Sequence, residues 1–343
     1  MGDRKMMRKK QIDDQYLCGV KREIRLRLLM VLASTALAAV LLCGGCGTAT
    51  QEEKEAIKAE GIAAMETGDY ETAVDKFDEV LAMSGGTVNA HVVDTCYYKA
   101  AALYAQGNLQ EAIDVYSSVI AYDEEDPQPC FLRGCIYLNE GEKEKALKDY
   151  QEAAKRCDGD YEMYLLIYRN LAASGDKADG MDFVNEALAM TGNSGEDALG
   201  KGRIYLELKD YPNAIEQMTK AADKGVAEAK VYLAQAYEQS GDSEKATEIL
   251  ASYVKEDNPS AEALALLGNM ELASGHYEEA LTYYQKGLEM SEEDAQQDLL
   301  KGEIAALEYL GRFSEAKTKM QDYIAKYPTD QAAQHEWIFL QTR

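Results

Sequence analysis

Positive charge, proline and histidine are all scarce in this sequence. Of 343 residues, 36 are Lys or Arg against 61 Asp or Glu, a formal net charge of −25. A chain so negative repels phosphate backbones and anionic lipid headgroups, which excludes general nucleic-acid binding. Five prolines and 26 glycines exclude a collagen-like or proline-rich linker protein. The three histidines have no metal-ligand spacing and read as surface residues: His91 in a linker, His276 in a helix–helix turn, His335 in a terminal helix. There is no phosphate-cradling glycine loop, and carboxylate pairs in so acidic a chain read as a solvated face. The sequence thus offers no catalytic group, metal or cofactor, and the chain is read as a non-enzyme. What it does have is 46% hydrophobic residues, enough to fill a core, so it is not a disordered acidic polymer.

Charge is unevenly placed. Residues 1–45 hold nine basic and four acidic side chains, a net of +5, which leaves −30 on the remainder. An uncharged run of fifteen residues, Leu28 to Leu42, follows the basic stretch. At about 1.5 Å per residue it is shorter than a ~30 Å hydrocarbon core. A basic region, a short apolar run and then Cys43-Gly-Gly-Cys46-Gly47 describe a secretory signal peptide. The segment resembles a bacterial lipoprotein signal, which implies cleavage before a lipidated Cys46, with residues 46–53 as a tether. The alternative is an uncleaved signal-anchor helix. Either way the expected location is extracytoplasmic and membrane-attached, durably so if Cys46 carries a multiply acylated anchor.

The rest of the chain repeats. Gly68-Asp-Tyr-Glu-Thr-Ala73 recurs as Gly107…Ala112, Gly141…Ala146, Gly241…Ala246, Gly275…Ala280 and Gly311…Ala316, with looser copies at Gly175…Gly180 and Lys209…Ala214. Units begin near 54, 93, 127, 161, 195, 227, 261 and 297, mostly 34 residues apart. Position 15 is Gly in all but the fifth unit, where Lys209 stands, and suits a left-handed residue that ends a helix. If Lys209 takes that conformation the local cost is about 1 kcal/mol. Position 20 is Ala in all but the fourth, which has Gly180. Position 24 is always apolar, and position 8 is Gly or Ala in six units.

These positions resemble the tetratricopeptide repeat, a 34-residue helix–turn–helix unit. The likeness spans residues 54–330; the Trp usual at position 4 is absent, and the usual late Pro occurs only as Pro328. The resemblance implies an all-α, right-handed superhelical solenoid of about eight units with a concave binding groove. Residues 331–343 would add a capping helix, with Ala333, Trp337 and Leu340 at helical spacing.

In this family, positions 2, 5, 9, 12 and 13 of each first helix tend to face the groove. Position 2 is acidic in seven of eight units, among them Glu162, Glu196, Glu228 and Glu262. Those carboxylates either offset helix dipoles, at ~0.3–1 kcal/mol each, or form an acidic ladder for a basic segment. Tyr97, Tyr104, Phe131 and Leu138, at positions 5 and 12 of units two and three, form an apolar patch if exposed and core if covered by neighbouring repeats. Arg169 and Arg203 either receive a carboxylate or pair with Glu162 and Glu196. Some family members grip a C-terminal carboxylate with Lys at 5 and Asn at 9 of one unit. Here those types occur only as Lys58, Lys301 and Asn269, never together. The expected function is therefore a lipid-anchored scaffold that binds a peptide or protein partner, basic if the ladder is used, without cofactor or nucleic acid. An accessory subunit of an envelope enzyme, secretion or pilus complex is the alternative.

Overall fold

A computed structural model describes residues 50–255, 259–290, 293–328 and 330–341. The signal segment, Cys46 and residues 46–49 of the tether lie outside these. Seventeen α-helices and no strand occur among the described residues. The chain divides into two compact units, one ending at Met190 and the other beginning at Thr191.

The first unit holds four helical hairpins: α1 (Gln51–Thr67) with α2 (Tyr70–Met83), α3 (Ala90–Gln106) with α4 (Leu109–Tyr122), α5 (Gln128–Asn139) with α6 (Lys143–Arg156), and α7 (Tyr161–Ser174) with α8 (Lys177–Ala189). The second holds α9 (Gly195–Glu207) with α10 (Tyr211–Asp223), α11 (Ala229–Ser240) with α12 (Ser243–Val254), α13 (Ala261–Ala273) with α14 (Tyr277–Met290), and α15 (Glu293–Tyr309) with α16 (Phe313–Lys326). A single helix, α17 (Gln331–Leu340), packs on α16. Within each unit successive helices pack in sequence order, as expected of stacked repeats. Helices α1, α3 and α15 begin three or four residues ahead of the repeat starts read from the sequence.

Each hairpin is made by the same local chemistry. Residues at position 15, from Gly68 to Gly311, all have positive φ, between 60° and 95°. At Gly107 the N–H donates to the Tyr104 carbonyl at 2.9 Å, and that of Asn108 to the Leu103 carbonyl at 2.9 Å. This closing pattern satisfies carbonyls that the helix end leaves open. In three hairpins the next residue also caps the second helix with its side chain: Asp69, Asp210 and Asp242 accept N–H bonds from Thr72, Asn213 and Lys245.

Position 20 is fully buried as Ala73, Ala112, Ala146, Ala214, Ala246, Ala280 and Ala316. Position 24, from Phe77 and Tyr116 to Leu250 and Met320, is at most 5% exposed. Position 8 lies against it. A Cβ on Gly134 would stand 2.6 Å from Cε1 of Tyr150, and one on Gly268 2.7 Å from Cε1 of Tyr284. Gly180 replaces the position-20 Ala because a Cβ there would meet the Tyr168 carbonyl oxygen at 3.2 Å; Val184 beside it is fully buried. Each large side chain so enclosed contributes about 1.5–3 kcal/mol.

The cysteines among the described residues are free thiols. Cys130 and Cys135 on α5, and Cys157 after α6, are buried, and Cys96 on α3 is half-buried.

Lys209 has φ +60° with a Cβ and is thus a strained position. The left-handed cost is ~1–2 kcal/mol. A glycine there also loosens the unfolded chain by ~0.4–1 kcal/mol, which offsets part of the gain. Lys209→Gly is therefore expected to raise stability by about 0.5–1 kcal/mol in urea unfolding. A loss of stability would show that Lys209 makes a contact worth more than the relief of strain.

Candidate functional site

Of the two readings left open for the apolar residues of units two and three, the structure shows the covered one. Tyr97, Tyr104, Phe131 and Leu138 are each only 6% exposed. The Tyr97 ring meets that of Tyr116 edge-on at 6.1 Å, and its hydroxyl donates to Asp126 at 2.5 Å. Asn139 donates to the Tyr104 hydroxyl at 2.8 Å, and Phe131 packs on Tyr150 at 5.8 Å. Each is covered by its own or the next hairpin, so these four residues belong to the inter-repeat core.

The two arginines have partners within the chain. Arg169 forms an ion pair with Glu162 at 3.8 Å, and the Arg203 guanidinium lies 5.1 Å from the centre of the Tyr232 ring. Glu162, Glu196 and Glu262 occupy the first turns of α7, α9 and α13, and Glu228 is the residue before α11. Glu196, Glu228 and Glu262 are exposed, and all three belong to the second unit.

His91 departs from its expected place on a surface linker. It sits in the first turn of α3, its Nδ1 2.8 Å from Glu55 Oε1 and 3.4 Å from Lys58 Nζ. Lys58, 4% exposed, also reaches Asp94 Oδ2 at 3.2 Å. Burial and the Lys58 ammonium push the His91 pKa down, with Glu55 and Asp94 opposing. Burial raises the Glu55 carboxyl, but Lys58 and His91 outweigh it and hold the group below its usual range. The position-2 acids of the first two repeats are thereby turned inward. Of the other histidines, His276 Nδ1 lies 2.7 Å from Glu271 Oε2 and His335 is on the surface.

The feature that sequence reasoning missed is a cavity of about 610 Å³ between α15, α16 and α17. Ile304, Phe313, Met320, Ala333 and Phe339 give it apolar walls, and Lys301, Glu308 and Glu336 supply its charges. Lys301 Nζ is 2.7 Å from Asp330 Oδ2, and that contact, with the Tyr323 hydroxyl, holds the Asp330 carboxyl far below its ordinary range. Glu308 faces Glu336; burial first, and then the second carboxyl, push its pKa up to about 7 from 4.5. One Glu308 oxygen, Oε1, is buried with no hydrogen-bond partner. Glu308 holds position 12 of its repeat, one of the positions read as groove-facing, so this half of the pair had a signal in the sequence. Its partner lies on the non-repeating helix α17 and had none.

Among the described residues, no group of His, Cys, Asp and Glu side chains is arranged to hold a metal ion, and no helix is long and apolar enough to cross a membrane.

Three family models described as Tetratricopeptide repeat match the sequence, at 58–129, at 205–270, and at 127–160 with 261–294, together more than half of the chain. Hsp70-Hsp90 organizing protein 1 of Glycine max is 21% identical over 252 residues, which are 62% of this chain and 44% of that protein. Protein O-mannosyl-transferase TMTC1 of Homo sapiens is 26% identical over 196 residues, 55% of this chain and 22% of that protein. The chain therefore spans less than half the length of these curated relatives. A crystal structure of a tetratricopeptide repeat protein from Parabacteroides merdae ATCC 43184 covers 75% of this chain and 99% of its own, at 19% identity and a TM-score of 0.40.

A carboxyl whose folded pKa lies above its unfolded value binds more protons when folded, so stability falls as pH rises from about 4.5 through about 7. Glu308→Gln mimics the neutral form throughout. Its thermal midpoint is expected to exceed that of the wild type at pH 8 and to match it below about pH 4.5. Equal offsets at both pH values would mean that Glu308 titrates normally.

Proposed function

The chain belongs to the tetratricopeptide repeat family, and on that premise we propose that it is a non-catalytic scaffold that binds a protein partner from a position outside the cytoplasm, held at a membrane through Cys46. The observation that carries the binding role is the set of stacked hairpins, which place Glu196, Glu228 and Glu262 in the open at the starts of their first helices within one compact unit. Exposed carboxylates in register favour a basic segment, through charge complementarity that speeds encounter and sets orientation.

The relative from Glycine max is named as an organiser of two other proteins, which supports an assembling role here. The means differ from those of the family members that hold a C-terminal carboxylate. Lys58 is occupied by Glu55 and Asp94, Lys301 by Asp330, and Asn269 accepts a hydrogen bond from the Tyr284 hydroxyl at 2.7 Å. A partner that offers basic side chains suits these surfaces better than one that offers a terminal carboxylate. The membrane attachment rests on the sequence of residues 1–46 alone: the basic stretch, the uncharged run and the Gly-Gly-Cys that follows it.

Two experiments test this reading. The native chain, purified from detergent-solubilised membranes and washed at about 0.1 M and then about 0.5 M salt, is expected to retain a protein partner in the first wash and release it in the second, because exposed charge pairs are screened more strongly as ionic strength rises. Retention at the higher salt would remove the acidic basis of binding, and recovery of the chain alone would remove the scaffold. Cys46→Ala is expected to move the chain from the membrane fraction to the soluble exported fraction. A variant still held at the membrane would establish the signal-anchor alternative.

A further inference from the structure

We propose that the cavity between α15, α16 and α17 receives a Lys or Arg side chain of the bound partner, one set between apolar residues. The inference rests on the scaffold reading and names the chemistry that one part of it recognises.

Three observations converge on that occupant. The walls formed by Ile304, Phe313, Met320 and Phe339 match an aliphatic stem, and the paired carboxyls of Glu308 and Glu336 match a cationic head. The buried Oε1 of Glu308 is an acceptor with no donor, and a polar group left in that state costs ~1–3 kcal/mol.

The second observation is that the protein's own cations nearby are engaged elsewhere. Lys301 is held by Asp330 at 2.7 Å, Lys319 by the fully buried Glu303 at 3.0 Å, and Arg312 by both oxygens of Glu315 at 2.6 and 2.7 Å. None of these three cations neutralises the Glu308–Glu336 pair, and the charge that acts on Glu308 is that of Glu336. Burial first, and then the facing Glu336 carboxyl, raise the Glu308 pKa, and no cation offsets either.

The third is the rim. Few large apolar side chains are exposed among the described residues, yet Tyr309 (64%) and Phe339 (41%) both line the cavity, on the two helices that bear the carboxyl pair. Tyr309 is stacked on Tyr277 at 4.8 Å with planes 7° apart, which makes a rigid flat surface. The volume lies within the ~300–1,000 Å³ usual for small-ligand sites. That leaves room for an apolar neighbour of the basic residue.

The chain carries its own reporter, since Trp337 is the only tryptophan of the sequence and sits next to Glu336 on α17. The probes are two capped peptides, acetyl-Ser-Leu-Arg-Leu-Ser-amide and its counterpart with Gln in place of Arg. They are titrated into the full chain at pH 7.5 while Trp337 emission is followed. The Arg peptide is expected to give a saturable shift, with the Gln peptide weaker by about tenfold or more. Lowering the pH to 5.5 protonates Glu308 and should weaken the Arg peptide, since a bound cation favours the ionised carboxyl. In the double variant Glu308→Gln, Glu336→Gln the two peptides should bind alike. Ala332→Phe keeps both carboxyls and narrows the cavity, and should weaken both peptides; circular-dichroism melts establish that each variant is folded.

Equal responses to the Arg and Gln peptides in the wild type, or undiminished Arg binding in the folded double variant, would overturn the assignment. If peptide discrimination fails while the membrane-purified chain still holds a salt-sensitive partner, the pocket assignment falls and the scaffold stands. If discrimination holds and no partner is recovered, the scaffold falls and the pocket stands.

Discussion

The contact between the small residue at position 8 and the bulky one at position 24 is the constraint on which the fold depends. Where Tyr150 lies over Gly134, or Tyr284 over Gly268, the two helices of a hairpin approach until one backbone touches the other's side chain. A methyl group in that gap would drive the helices apart or force the ring off its rotamer. Tyr284 also abuts Gly302 in the next repeat, so one ring fixes the fit within a hairpin and the fit between hairpins. Once that spacing is set, the left-handed residue at position 15 and the caps that follow it leave the second helix little choice of direction. The placement of every surface carboxylate follows from there.

Several basic residues tie neighbouring helices together. Lys58 ties α1 to α3 through Asp94, and Lys143 ties α6 to α8 through Asp176 and Asp179. Arg133 grips both oxygens of Asp149 at 2.7 and 2.8 Å and donates to Ser117 at 2.8 Å, which joins three helices. Pairs of this kind that span repeats and are partly buried fix register, whereas exposed pairs one turn apart, such as Lys220 with Glu216, add ~0.5 kcal/mol or less. The excess of 61 acids over 36 bases leaves the chain with net negative charge whatever the pairing.

Legibility from the sequence tracks the range of the interaction. Position 15 is decided by its own φ, so even the departure at Lys209 was readable, together with its strain. Positions 8, 20 and 24 are decided within one hairpin, and the repetition of the pattern exposed them. For Tyr97, Tyr104, Phe131 and Leu138 the helices were legible while patch and core stayed open, because coverage comes from neighbours such as Asp126 and Asn139. His91 was misread for a related reason: the longer α3 begins at Ala90 and carries the residue into contact with Glu55 and Lys58 of the preceding repeat. The cavity was least legible, since it depends on how α17, which repeats nothing, comes to rest against α15 and α16.

The cysteines carry a consequence of a different kind. Burial pushes the thiol of Cys130 up to about 11 and that of Cys135 to about 12, and it raises Cys157 and Cys96 as well. At neutral pH a thiol with a pKa near 11 is ionised in about one molecule in ten thousand, and it is the thiolate that reacts. Oxidants such as peroxide or oxidised glutathione therefore meet almost no thiolate at Cys130 and Cys135. These two side chains act as compact apolar packing on α5, which keeps them out of thiol–disulfide exchange while the helix stays folded.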